Sequence, residues 1–389
     1  MKVREPITFV SIFCPGLAAS GEILPQIYDL NYQFYQEDSD RIRVEALYLR
    51  GEIEFDDATS FRFQWLHDAI SGASPTGAQP GGVQPFYADL EDVRTGILGA
   101  ISRQIGDHRV DFELSHSEED DYISRGFALS DVWELNQKNT TFTYGINYLD
   151  DMVSVPQSND ESKHGYDLFS GVSQIIDKNT ILSANLALGY SDGYLNDPYK
   201  IVQRTESFSI PDGLGGTIEV PVTNIYKENR PGSRFRQVLQ LEGRHYFEPA
   251  KGALDVMMRL SNDDFGVFSQ TAQIEWRQSV GDHFQVVPFF RYYHQTDADF
   301  FTNTIDGINV ENPSSPDAGG PNYSADYRLS SFDAVSTGLR LGYRFNDHLS
   351  ATASYERYVM NGSGSSSNRA PEQAYPNANI WTFGLHAEF

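Results

Sequence analysis

Five stretches of the chain carry residue types suited to nucleophilic or acid–base work. Ser115, His116 and Ser117 stand together, His67 precedes Asp68, and His108, His283 and His348 close Gly-Asp-His or Asn-Asp-His triplets. A serine hydrolase needs a hydroxyl and an imidazole within hydrogen-bond reach, and a third group to orient the ring. In an extended chain successive side chains point to opposite faces, so Ser115 and His116 cannot pair directly. The triplet histidines fall in separate turns and make poor metal ligands. No P-loop, G-x-S-x-G, H-E-x-x-H or cysteine-based metal motif is present. The expectation is a protein that is not an enzyme and that needs no cofactor and no resident metal.

Acidic clusters offer a second chemistry. Glu118 to Asp121, Asp150 with Asp151, Asp160 with Glu161, Asp263 with Asp264, and Asp297 with Asp299 recur along the chain. Hard divalent cations take several such oxygens, and in a lipopolysaccharide leaflet they would bridge carboxylates to lipid phosphates. None of these clusters has the D-x-D-x-D-G spacing of a dedicated calcium loop, and a solvated acidic rim is the plainer account of them. Over the whole chain 54 acidic residues face 29 basic ones, a formal net charge of -25. Nucleic acid is excluded as a partner, because its phosphates would be repelled.

The elements that must position these groups are strands. The segment Trp381 to Phe389 alternates apolar Trp381, Phe383, Leu385, Ala387 and Phe389 with Thr382, Gly384, His386 and Glu388. Period two marks a strand with one oily and one wet face. From Ile27 onward similar segments are separated alternately by very short and much longer connections. The short ones are 56–59, 106–108, 136–139, 177–179, 248–252, 281–283 and 346–348, all rich in Asp, Asn or Gly; the long ones include 72–90, 192–233, 298–331 and 361–378. Short turns at one end and long loops at the other predict an all-β, transmembrane antiparallel β-barrel of about 16 strands, with periplasmic turns and extracellular loops. The 13% aromatic content, with 22 Tyr and 25 Phe, fits such a barrel. In the strand 41–55 the phase slips near Leu47 to Leu49, which predicts a bulge there.

Residues 1–20 read as a signal peptide: Lys2 and Arg4, an apolar run containing Cys14, then the small residues Ala18, Ala19 and Ser20. Residues 21–389 then form one barrel domain. Its last strand, with Trp381, Phe383, Leu385 and Phe389, resembles the C-terminal signal by which the barrel-assembly machinery recognises its substrates. Outer-membrane lipid and lipopolysaccharide are the other expected partners.

Seven stretches resemble a family of bacterial outer-membrane proteins catalogued as a domain of unknown function. They are Y-Q-E-D-S-D-R-I-R-V at 35–44, D-A-I-S-G-A-S-P at 68–75, D-D-Y-I-S-R-G-F-A-L-S at 120–130, G-Y-L-N-D-P-Y-K at 193–200, E-N-R-P-G-S-R at 228–234, R-Y-Y-H-Q-T-D-A-D-F-F at 291–301 and S-A-D-Y-R-L-S-S-F at 324–332. The resemblance implies a barrel in the outer membrane of a Gram-negative bacterium and carries no catalytic residues. It also implies proximity to extracytoplasmic redox systems.

Alternation turns Arg236, Arg244, Arg259, Arg277 and Arg340 inward from the second half of the barrel. It turns Glu45, Glu52, Glu54, Asp111 and Glu113 inward from the first half, with Arg41 and Arg43 interrupting the acidic side. Opposed rows of charge across an aqueous lumen would make a transverse field that filters solutes; ordinary salt bridges along the wall are the plainer outcome. The expected function is a porin-like channel for small polar solutes or ions. The alternative is a closed barrel, its lumen packed with Tyr and Arg, serving as a scaffold or docking protein. The segment 208–221 reads as a hairpin that either folds into the mouth or stands outside.

Overall fold

The computed structural model describes residues 24–389 apart from 83, 157 and 315–318. The expected signal segment 1–20, with Cys14, lies outside the described residues. In chain order the strands are β1 (Gln26–Glu37), β2 (Arg43–Asp56), β3 (Thr59–Pro75), β4 (Tyr87–Ile105), β5 (His108–Glu118), β6 (Tyr122–Leu135), β7 (Thr140–Val153), β8 (Glu161–Asp177), β9 (Thr180–Gly193), β10 (Ile201–Pro211) and β11 (Thr217–Lys227). They continue with β12 (Ser233–Phe247), β13 (Gly252–Asp263), β14 (Phe268–Val280), β15 (Phe284–Gln295), β16 (Phe332–Arg344), β17 (Leu349–Gly362) and β18 (Asn377–Glu388).

All but β10 and β11 form one closed antiparallel barrel of 16 strands, each paired with its neighbours in sequence and β1 closing on β18. At the seam Gln26 and Phe389 exchange backbone hydrogen bonds of 3.0 and 2.9 Å. Closure leaves no open edge, which is the condition for a β-structure to cross lipid. The seven short connections predicted from the sequence all join neighbouring strands at one end. The long ones gather at the other.

Outward positions carry the oil. Ile97, Leu114, Leu168 and Leu385 are 56, 53, 52 and 50% exposed. Full burial of such a side chain is worth about 1.5–3 kcal/mol and about half of that is still open here, repeated over the whole outer wall, so this face requires a lipid neighbour. Aromatics gather near the short-turn end, where His108 stacks on Trp133, and Tyr343 packs on Phe284 and Phe345, as in the interfacial girdles of membrane barrels.

The predicted bulge at Leu47 to Leu49 is absent. The β1–β2 register runs unbroken from Gln26↔Ile53 to Gln36↔Arg43, and the one shift between β2 and β3 lies at Glu54/Asp56, beside the turn. Glu45 therefore cannot share a face with Glu52 and Glu54. It lies outward beside Phe34 and Tyr32, accepting from the Tyr32 hydroxyl at 3.2 Å and paired with Arg43. The apparent slip in the sequence is a charged pair at the rim of the lipid-facing side.

The hairpin β10–β11 is a separate two-stranded sheet outside the barrel wall. Its Asp212 carboxylate accepts from the Leu214 and Gly216 amides at 2.7 and 2.8 Å, fixing the turn. Leu214 at its tip is 94% exposed, so the tip projects away from the molecule.

Candidate functional site: a charged lumen under a loop lid

The inner wall has two halves of different character. Toward the long-loop end it is buried: Glu37, Gln295, Ala334, Ser336, Met360 and Ala378 are all 6% exposed or less. What covers them is the chain's own loops. Leu329, Ala370, Ala374 and Tyr375 pack with Phe265, Phe301 and the wall residues Phe332, Ala334 and Met360 in one apolar cluster. A second cluster gathers Val202, Ile305, Val310, Tyr323 and Ala325.

The loops reach the rim on many sides. Arg41 donates to the Gln373 carbonyl at 3.0 Å, Tyr87 to the same oxygen at 2.7 Å, and Gln295 to the Arg328 and Ser330 carbonyls at 2.9 and 2.8 Å. Ile201 donates to the Thr76 carbonyl at 2.9 Å. Tyr199 binds Asp121 of the β5–β6 connection. Together these segments form a lid across the mouth.

Between the two apolar clusters sits a knot of charge in which Glu228, Asp326 and Lys200 are buried and Arg328 is half exposed. Arg230 lies 2.7 Å from Glu228 and 2.8 Å from Asp326, and the Arg328 Nε reaches both Asp326 oxygens at 3.0 and 2.9 Å while its Nη2 binds Asp197. Lys200, 4% exposed, hydrogen-bonds the Pro75 carbonyl and lies over the Tyr327 ring. Burial works against the Asp326 carboxylate, but Arg328, Lys200 and Arg230 outweigh it and hold its pKa well below the usual range. For Glu228 burial dominates and pushes the carboxyl up; for Lys200 burial pulls the ammonium down. A buried charge survives only when it is paired and hydrogen-bonded, and here each arginine bridges segments far apart in sequence. The knot ties the lid together.

Away from these lid contacts the inner wall is polar and open. Arg236, Arg244, Arg259, Arg277 and Arg340 all lie on inward positions, opposite in parity to exposed Leu239, Val256, Ile274 and Leu339. Most find acceptors on their own wall. Asp255 takes both Arg244 and Arg277, Glu275 lies 3.2 Å from Arg277 and 3.9 Å from Arg340, and Arg259 donates to Gln240 at 2.7 Å. Across the barrel Glu113 meets Arg62 at 3.3 Å, reaching over Ala100, and Asp111 accepts from Ser102 with Arg109 at 3.5 Å. Glu52 faces inward 3.6 Å from Arg50, and Glu54 shares its parity.

Local pairing does not erase the sorting by wall. On β12 to β15 the inward positions hold Arg234, Arg236, Arg244, Arg259, Arg277 and Arg291 against Glu242, Asp255, Asp263 and Glu275. On β1 to β5 they hold Arg50, Arg62, Arg94 and Arg109 against Asp29, Glu37, Glu52, Glu54, Asp68, Asp92, Asp111 and Glu113. One wall has an excess of cations and the other of anions. Arg41 and Arg43 interrupt neither, since Arg43 faces outward and Arg41 belongs to the lid contacts. Arg291 was not among the residues read from the sequence as lumen charge, although the same alternation places it there.

The other sequence candidates are dispersed. Ser115 faces inward over Gly126, while His116 faces outward opposite Ile97. His67 stacks on outward Trp65, whereas Asp68 turns inward to Arg94 at 2.6 Å. His108 holds Asp131 at 2.7 Å on the outer face; His283 and His348 contact the Arg344 and Glu388 carbonyls at 2.7 and 2.9 Å, finishing strand ends. Of the acidic clusters, Asp151 is occupied by Tyr122, Ser124 and Lys163, and Asp263 by Arg234. Asp92, Glu119 and Asp121 bring carboxylate oxygens within 4.8 Å of one another, with Arg94 3.7 Å from Glu119. Trp381, Phe383 and Leu385 face lipid on the closing strand, and Phe389 follows them at the seam.

The barrel and its polar lumen define a protein of the outer-membrane β-barrel type. The chain belongs to the family described as "Protein of unknown function (DUF3570)", whose pattern matches residues 19–88, 80–162 and 154–374. Among solved structures it is similar to CdiB from Acinetobacter baumannii, at 9% identity and a TM-score of 0.52, over 94% of this chain and 60% of that one. It is also similar to the siderophore receptor PirA from Pseudomonas aeruginosa, at 14% identity and a TM-score of 0.45 over 94% of this chain, and to a bacterial polysaccharide outer membrane secretin, at 10% and 0.48, over 94% of this chain and 99% of that one. The chain spans 61% of the length of PirA. Among curated protein sequences nothing matches it.

Proposed function

We propose that the protein is a porin-like channel of the Gram-negative outer membrane, passing small polar solutes or ions, with its extracellular mouth shut by its own loops in the conformation described. The observation that carries this reading is the pairing of a polar, charge-sorted inner wall with a lid built from connections. A wall that only had to hold a packed core would not keep Arg244 and Arg259 exposed on its inward face. The long-loop end is placed outside the cell and the short-turn end in the periplasm, as in barrels of this class. No catalytic step is assigned to it. Lipopolysaccharide would meet the outward aromatic and acidic rim, and the assembly machinery would meet β18 through Trp381, Phe383, Leu385 and Phe389.

Single-channel conductance in a planar bilayer tests the reading. The complete chain should open rarely, and a variant with residues 303–322 replaced by a short glycine–serine linker should conduct in discrete steps. A folded variant that stays silent, with folding shown by migration that changes on heating, would end the channel reading.

A second reading is a closed barrel that acts as a scaffold or docking protein for an extracytoplasmic, redox-associated system. The feature favouring it is the mouth itself, packed with Tyr323, Tyr327, Tyr375, Arg230 and Arg328.

A further inference from the structure

Two arginines of the cationic wall are held differently from the rest. Arg259 on β13 donates its Nε to the Gln240 carbonyl oxygen at 2.7 Å, and the Gln240 amide nitrogen in turn donates to Glu242. Arg291 on β15 donates its Nε to Gln273 at 2.7 Å, and the Gln273 amide nitrogen donates to Glu275 at 2.8 Å. The two arrangements are the same device. A Gln-x-Glu pair on one strand presents an amide oxygen to an arginine on the next strand.

The consequence is electrostatic. A carboxylate placed directly on a guanidinium neutralises it, as Asp255 does for Arg244 and Arg277. An amide interposed between them orients the guanidinium and leaves its charge in place. Among the described residues no carboxylate pairs with Arg259 or Arg291. Only Nε is engaged in each, so the two Nη groups remain as the fork that takes an oxyanion bidentately.

The register sets the two arginines on the strands either side of β14. Arg259 pairs across with Thr271, and Arg291 with Gln273, so they flank β14 from either side, two residues apart. Both side chains are exposed on the inner wall. The recess of about 310 Å³ beside Gln240 and Gln273 is lined by Arg244 and Arg277 against Glu242, Asp255 and Glu275, so the uncompensated positive charge at its edge comes from Arg259 and Arg291. A recess of this size holds a small solute. Orientation by amides, retained charge and exposure to the lumen are the ingredients of an anion site.

We propose that Arg259 and Arg291, set by Gln240 and Gln273, form a binding site for a small oxyanion bearing a carboxylate or phosphate group. The site rests on the reading of the lumen as a solute passage and names the class of solute. Both arginines sit in the long-loop half of their strands but are exposed to the lumen below the lid, so a solute entering from the short-turn end reaches them without the lid moving.

Titration calorimetry of the complete barrel in detergent at low ionic strength tests this, with succinate and inorganic phosphate as probes and chloride as reference. Saturable binding of succinate or phosphate with a Kd on the order of 1 mM is expected, and the better probe identifies the group. The double variant R259Q/R291Q should weaken binding at least about tenfold, equivalent to about 1.4 kcal/mol. Arg50→Gln, on the opposite wall, should leave it unchanged. The site is overturned if folded wild type shows no saturable binding, if chloride gives the same response, or if the double variant binds like wild type. Migration that changes on heating shows that each variant is folded. Binding by a barrel that never conducts, even with its lid opened, would uphold the site and end the channel reading.

Discussion

The two ends of the lumen are built from the same residue types and differ in what surrounds them. At the mouth, Arg230, Glu228 and Asp326 lie buried between two apolar clusters, with Arg328 reaching Asp326 from the solvent side. On the lower wall, Arg244, Arg277, Asp255 and Glu275 make equally close pairs but keep contact with water; the Arg244 side chain is 56% exposed. A hydrated pair contributes about 0–1 kcal/mol and can be rearranged cheaply. A buried pair contributes little in itself, but removing one partner strands the other charge, at a cost of about 3–5 kcal/mol. The mouth is therefore a committed structure, and the lower wall is a surface on which charge remains available for a solute.

The largest effect should come from unbalancing the knot. Asp326→Asn leaves Arg230 and Arg328 short of an anion and should weaken the lid by about 3–5 kcal/mol. Protease cleavage within 296–331 should then appear while the strands persist, and unchanged resistance would show that the lid does not depend on the knot. On the outer face, Leu339→Arg should cost about 2–4 kcal/mol by urea titration in liposomes if it lies near the bilayer midplane. Arginine is already tolerated one residue later, at Arg340, because that position faces the lumen.

Acid should loosen the mouth before the wall. The Asp326 carboxyl is held below its ordinary pKa when the lid is closed. Its contribution is thus complete above the open-state value of about 4 and is lost as pH falls further. Glu228, pushed up by burial, has the opposite sign: protonation favours closure, but that gain is exhausted once it is neutral. The balance predicts increasing cleavage of 296–331 below about pH 4, against none for the strands. The smallest effect should follow deletion of 208–221. The hairpin tip stands clear of the mouth, so conductance of a lid-opened barrel should not change; a rise would place the tip in the pore.

The wall was readable because alternation is a local property. In β16, Leu339, Leu341 and Tyr343 against Gly338, Arg340 and Gly342 declare their faces within seven residues, and the turn triplets declare the ends. Glu45 was misplaced for the same reason. Near a rim a charged residue can face outward if Arg43 and a tyrosine hydroxyl meet it, and strict polarity then misreports the phase. The amide-held arginines were half readable, since Q-L-E at 240–242 and Q-I-E at 273–275 are visible repeats, but nothing in them says which arginine they will face.

The sequence by itself determined a closed, lipid-facing barrel, its strand number and its two kinds of end. These follow from period-two patterning and turn chemistry, which depend on residues a few positions apart. Only the tertiary structure decided that the mouth is covered and how the inward charges are partnered. Glu228, Arg230, Asp326 and Arg328 stand about a hundred positions apart in two groups, as do many lid residues. Whether such groups meet depends on loop paths and on the register that brings distant strands side by side, and neither leaves a periodic trace in the chain.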